Sequence, residues 1–282
     1  MFIFTLTGLK TDATAIRLSS EVSVGRLHPR EVDRVKPPQP PGGLGLPVEE
    51  SGTRILSSGS SFEEARKEAW DRCLLVITAL RLLKAGGVGL GLYGVAYTVG
   101  QPETAYPLYP AFRLSRSASV GWASRSGFAV SRDDGKRLRI LYRGLLKGDT
   151  GSMLALRRFD MAYQRDFLED RLIDLWVALE SLFGTPSEVQ ELRYKFAMRI
   201  AHFIGSNPVD REDIFQGMKD AYLRRSKVVH GVGSQADIRK AARDTEDALR
   251  RSLCKAVSEG KPPDPDYLDR LAAQGFPMRS HK

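Results

Sequence analysis

An arginine, a small hydroxyl residue and a histidine fall within six positions in the run Tyr222-Leu223-Arg224-Arg225-Ser226-Lys227-Val228-Val229-His230-Gly231. Histidine is the side chain whose ordinary pKa suits proton transfer near neutral pH. Arginine keeps its charge and can stabilise negative charge building on a phosphoryl oxygen. RNA carries its own nucleophile in the ribose 2′-hydroxyl, so cleaving it needs only these two services, and no metal cluster is required.

The element that must position them is a helix predicted from Asp210, as N-cap, to Gly231, as the C-terminal stop. Ile214, Met218, Ala221 and Tyr222 recur along it at helical intervals, and Arg225 continues the same stripe, so a permanent charge is aimed inward. Leaving that charge unpaired would be expensive, and it therefore calls for a carboxylate or an anionic ligand. His230 closes the helix, where the negative end of the dipole favours the imidazolium. It lies about 140° further round the helix than Arg225, so one straight helix cannot aim both at one atom. A distorted last turn or a second copy of the chain is needed.

Two other charged residues interrupt apolar faces nearby. Glu180 follows Trp176 by four on the face that includes Ile173 and Phe183, and Arg199 lies between Phe196 and Phe203. Together with Arg225 they could neutralise one another, or leave an arginine for a phosphate. His202 lies beside apolar positions and reads as a packing histidine; His28 and His281 sit in irregular segments. Four or five helices are predicted, at about 153–165, 167–183, 187–204, 211–230 and 235–258, most of them separated by short Gly-containing connections that favour antiparallel neighbours. Residues 151–260 thus read as an up-and-down helical bundle, with 261–282 a C-terminal tail that ends in a small helix or disorder.

Arg225, Ser226 and His230 fit the arginine-polar-x3-histidine pattern of HEPN domains, and the longer run resembles the ApeA-like branch of that superfamily. Two further blocks occur in the same order: Asp170-Arg171-Leu172-Ile173 running into Ala178-Leu179-Glu180-Ser181-Leu182-Phe183, then Lys195 with Arg199-Ile200-Ala201. The resemblance covers roughly residues 153–258. It implies an all-α bundle that pairs as a homodimer, acting as a metal-independent, cofactor-free endoribonuclease in a prokaryotic defence or toxin setting, with a phage or partner protein as trigger. His230 would be the general acid or base, Arg225 the phosphoryl-charge stabiliser, Ser226 its orienter and Glu180 the residue that positions the arginine. Arg199, Arg224 and Lys227 would contact RNA. Some HEPN domains are instead non-catalytic modules that bind RNA, nucleotide or protein, and that remains the alternative.

The first 150 residues read as a mixed α/β domain, so the chain is expected to be α+β. Strands are expected at Phe2 to Leu6, Ala15 to Leu18 and Val22 to Leu27, and a linker or exposed loop at 37–47, PPQPPGGLGLP. Ser61 and Glu64 make a capping-box pattern opening a helix that ends before Gly86-Gly87. Gly89, Gly91 and Gly94 satisfy G-x-G-x-x-G, but without the strand-before, helix-after context they read as strand glycines. Phe128 to Arg132 and Arg137 to Tyr142, flanking Asp133-Asp134-Gly135-Lys136, suggest a hairpin.

Net charge is +9 over 282 residues, unevenly spread. Residues 151–260 hold 18 Lys/Arg against 17 Asp/Glu, whereas residues 111–147 hold nine against Asp133 and Asp134. Phe112, Trp122, Phe128 and Tyr142 are interleaved with the basic residues, a composition that could hold a polyanion through phosphate contacts and stacking, with Arg137 and Arg139 as RNA contacts, or could simply be a solvated basic hairpin face. No stretch has the length of a membrane span, the N-terminus lacks a signal-peptide pattern, and Cys73 and Cys254 have neither metal nor redox spacing, so a cytoplasmic protein is expected.

Overall fold

The computed structural model describes residues 1–35, 50–108, 128–148, 152–185, 190–229 and 234–274, and the chain divides into two compact units, Met1–Lys147 and Gly148–Lys282. The expected loop at 37–47 lies outside the described residues, as do Phe112 and Trp122.

The first unit is built on β1 (Phe2–Thr7), which is buried along nearly its whole length. A strand covered on both faces shows a continuous apolar run instead of alternation. It pairs antiparallel with β5 (Ser51–Ile55) on one side and β6 (Gly89–Thr98) on the other. With β3 (Ile16–Arg17), β4 (Val22–Arg26) and β7 (Gln101–Leu108) the sheet order is β3-β4-β5-β1-β6-β7. A short parallel pair joins β2 (Leu9–Lys10) to β8 (Phe128–Ala129).

On one face lies α2 (Phe62–Leu83), where Phe62 and Trp70 meet Phe2 and Phe4 with ring centroids 6.1 and 6.0 Å apart. Ser61 caps this helix by accepting from the Glu64 backbone N–H, as the sequence pattern implies. Ile3 and Val95 share a cluster with Leu27 and with Val35 of α1 (Pro29–Val35), a short helix the sequence reading passed over, as it did β5 and β7. The Gly-rich run is strand: a Cβ on Gly91 would come within 2.0 Å of Thr5 Oγ1. That contact explains the glycine by the closeness of β1.

The expected hairpin at 128–142 is replaced by a 3-10 turn, Arg132–Asp134, leading into α3 (Gly135–Lys147). Leu138, Leu141, Tyr142 and Leu145, spaced for one helical face, are all buried, and this stripe outweighs the turn signal of Asp133-Asp134-Gly135. Asp134 acts at the helix start, accepting from the Ser131 backbone N–H at 2.9 Å and from Lys84 Nζ at 2.5 Å. Ser131 and Lys84 together hold its carboxyl below the usual range against the opposing effect of burial, which is the largest single influence.

The elements among the described residues of the second unit are helices: α4 (Met153–Ala162), α5 (Leu168–Phe183), α6 (Leu192–Ile204), α7 (Pro208–Val229), α8 (Gln235–Glu259) and α9 (Pro265–Gln274). The whole chain is therefore α+β with a helical C-terminal region. Buried residues all round α5, among them Leu172, Leu175, Trp176 and Leu179, mark it as the hub, and α4, α6, α7 and α8 pack against it. Asp174, 3 % exposed, accepts from Arg158 Nη1 at 2.9 Å and from Arg165 Nε at 2.6 Å, tying α4 and the turn after it to α5.

Helix ends differ from expectation at two places. Helix α7 begins at Pro208, with Asn207 Oδ1 accepting from the Asp210 backbone N–H, so Asn207 and not Asp210 is the cap. Proline supplies a helical φ at the first position, where its missing N–H costs nothing. Helix α6 starts at Leu192, after Glu191 in the left-handed region at φ 55°. Among the described residues no helix is long and apolar enough to cross a membrane.

Candidate functional site

Two helix ends create the site. The last turn of α5 carries Glu180, and the last turns of α7 carry Arg225. Their side chains meet with Arg225 Nη2 3.3 Å from Glu180 Oε1, 24 % and 32 % exposed. Beneath them is an aromatic shelf: Tyr222 stands edge-on to Trp176 with centroids 5.2 Å apart and stacks on Phe196 at 6.4 Å. The Arg225 guanidinium carbon lies 5.9 Å from the Tyr222 ring centroid, within cation–π range.

The shelf explains the orientation. Tyr222 and Arg225 are three apart on α7, so packing Tyr222 against Trp176 brings Arg225 to the same side, over the end of α5. There the arginine finds one carboxylate, while its Nε is buried and makes no hydrogen bond among the described residues. One ion pair at 3.3 Å and one ring face occupy few of the five donors a guanidinium has. What is left is a partly solvated cation held in place.

The neighbouring residues separate into different roles. Arg224 points to α8, where Nη1 reaches Asp237 Oδ1 at 2.9 Å, linking the last turns of α7 to the first turn of α8. Lys227 is exposed. Ser226 is half-buried, and no hydrogen bond joins it to Arg225 among the described residues. His230 follows the last helical residue and lies outside the described residues. On α8, burial, the largest influence, pushes the Asp244 carboxyl above the usual range, opposed by Lys240, Arg243 and Arg224 and aided by Asp247.

Arg199 does not join this group. It is 1 % exposed, and its Nε and Nη2 donate to the two carboxylate oxygens of Asp269 at 2.7 and 2.6 Å while Nη1 donates to Phe183 O at 2.8 Å. The expectation that it contacts RNA is corrected: its guanidinium is walled in and bidentate to α9. Its partner was missed because Asp269 lies in the segment read as a tail, 70 residues away. So the three inward charges resolve into one exchange, Glu180 with Arg225, and one separate pair.

His202 is half-buried, and burial first, then the Arg211 charge, lower its pKa, as suits a packing histidine. His28 Nδ1 accepts from the Arg30 backbone N–H at the start of α1; His281 lies outside the described residues. Both cysteines are buried, and burial pushes the Cys73 thiol far above its ordinary value, so Cys73 is not a reactive thiolate. No group of three His, Cys, Asp or Glu suited to a metal occurs among the described residues. In the first unit, Arg137 is exposed on α3, whereas Arg139 is half-buried with Nε donating to Arg17 O at 3.0 Å. No family model, no curated protein and no solved structure matches this chain.

Proposed function

We propose that the helical unit is a HEPN-type, metal-independent endoribonuclease that works as a homodimer in a prokaryotic defence or toxin setting. One observation carries the reading: Arg225, partly solvated, is fixed by Glu180 and the Tyr222 ring one turn before the position that leads into His230. In the proposed reaction, imidazole at position 230 takes the 2′-hydroxyl proton or protonates the departing 5′-oxygen. Arg225 stabilises the charge that builds on the phosphoryl oxygens, which is where a preorganised cation has most effect. Glu180 orients the guanidinium and does not touch the substrate. Two subunits meeting through this unit would bring a second Arg225 and His230 to the same phosphodiester, answering the angular mismatch of a single helix.

The test is incubation of purified protein with structured RNA in EDTA, comparing wild type with His230→Ala and Arg225→Ala, and an RNA with its 2′-hydroxyls removed. Cleavage lost in both variants and on the 2′-deoxy substrate is the expected outcome. Identical residual cleavage by wild type and His230→Ala refutes the proposal and leaves the non-catalytic module.

A further inference from the structure

Helix α3 has the most one-sided charge in the described part of the first unit. Its thirteen residues, GKRLRILYRGLLK, contain five basic side chains and no carboxylate. The apolar face is spent on the core, with Leu138, Leu141, Tyr142 and Leu145 buried and α2 packed against the helix. The opposite face carries Lys136, Arg137, Arg143 and Lys147, all exposed. Lys136, Arg143 and Lys147 fall within about 40° of one another around the axis and span about 16 Å along it, with Arg137 flanking them. No ion pair engages any of the four among the described residues. Of the carboxylates around the helix, Asp134 is taken by Lys84 and the Ser131 N–H, and Glu21 and Glu68 near Tyr142 are paired with Arg72, leaving Asp133 at the N-terminal edge.

A protein surface of ordinary composition mixes both signs. Three aligned cations and a flanking fourth, none held in an ion pair among the described residues, raise the local concentration of a polyanion. We infer that this ridge is a docking surface for the phosphodiester backbone of a nucleic acid, reading phosphate and not sequence. An anionic membrane is the competing occupant, and the helix argues against it: an interfacial helix inserts its apolar face, and here that face is already buried in protein. The inference rests on charge placement in the first unit and stands independently of the ribonuclease reading. Arg139 differs from these four in being half-buried, with its Nε donating to Arg17 O.

The experiment uses the full chain, a fluorescein-labelled single-stranded RNA of twenty nucleotides, an RNA duplex of equal length, and vesicles containing phosphatidylserine. Four phosphate contacts on a single strand give a log–log salt slope of about −2.8, or a fall in affinity of roughly 50-fold between 50 and 200 mM salt. Replacing Lys136, Arg137, Arg143 and Lys147 by alanine should flatten that slope and weaken binding at 50 mM salt by a similar factor. All four are exposed, so the fold should survive, and the version with Arg137→Lys and Arg143→Lys should bind like wild type. Binding by the alanine variant equal to wild type, or binding of vesicles with no binding of either RNA, overturns the inference. Arg225→Ala removes one proposed phosphoryl contact in the other unit, so it should lose cleavage yet keep most of the salt slope, whereas the ridge variant loses most of that slope; a failed nuclease and a failed docking surface therefore give different results.

Discussion

Changing Asp269 to alanine is the most discriminating perturbation of the helical unit. Arg199 has a side chain only 2 % exposed, and Asp269 supplies two of its hydrogen bonds, at 2.7 and 2.6 Å. Removing one member of a buried ion pair strands the other charge and costs about 3–5 kcal/mol. The Asp269 carboxylate is itself 37 % exposed, so water can enter where it was removed, and a loss of about 2–4 kcal/mol is expected. With a urea m-value of about 2 kcal/mol per molar, the midpoint falls by roughly 1–2 M. Hydrogen exchange should localise the effect to α6 and the end of α5, because Arg199 also donates to Phe183 O. The double change Arg199→Met with Asp269→Leu should be milder than Asp269→Ala alone, since no charge is left without its partner. A midpoint shift below about 0.3 M for Asp269→Ala would refute the reasoning, because a guanidinium that re-pairs at no cost was never confined.

Leu141→Ala should cost about 2–5 kcal/mol in urea unfolding, as expected for a fully buried leucine on the inner stripe of α3, and an unchanged midpoint would count against the helix. Gly91→Val should destabilise the first unit by about 1–3 kcal/mol or more, because its Cβ would collide with Thr5 in the neighbouring strand, while any nucleotide affinity stays as in wild type. Asp244→Asn should stabilise the protein at pH 7. A carboxyl whose folded pKa is raised binds its proton more tightly when folded, so the native state is penalised above that pKa and relieved below the unfolded value. The gain in melting temperature should accordingly disappear in acid, and a gain that persists at pH 3 contradicts the assignment.

Much of the fold was legible because local pattern and tertiary packing agree. Ser61 caps α2 where the sequence places it, and the buried run Phe2 to Leu6 forms the central strand. In α3 two local signals competed: Asp-Asp-Gly suggests a turn between strands, but Leu138, Leu141, Tyr142 and Leu145 need period 3.6 to bury together. The turn residues then serve the helix start instead. Strand β5 escaped notice because Ser51-Gly52-Thr53-Arg54-Ile55 is too polar to read as a core strand. Its arginine is satisfied from outside the strand, by a bidentate pair with Glu31 of α1 at 2.7 and 2.6 Å, a partner found only once the chain has folded. At the site, periodicity alone aimed Glu180 and Arg225 inward, and the resemblance paired them; neither could indicate that Arg199 belongs to α9.

Two inward arginines with the same signature in sequence have come to different ends, and the acceptors explain the difference. Arg199 meets a bidentate carboxylate and a helix-end carbonyl in a site sealed from water, so its geometry is fully specified. Arg225 meets one carboxylate oxygen at 3.3 Å and a ring face, and about a quarter of it reaches solvent. Lysine offers a point charge without the planar fork. Arg199→Lys should therefore lower stability by about 2 kcal/mol or more through lost hydrogen bonds to Asp269 and Phe183. Arg225→Lys gives up a half-exposed pair worth about 1 kcal/mol or less, so the urea midpoint should barely move. If the guanidinium fork is what grips a phosphoryl group, that same change should abolish RNA cleavage while leaving the fold intact. Cleavage by Arg225→Lys at the wild-type rate would reduce Arg225 to a structural charge like Arg199, differing only in how well it is sealed.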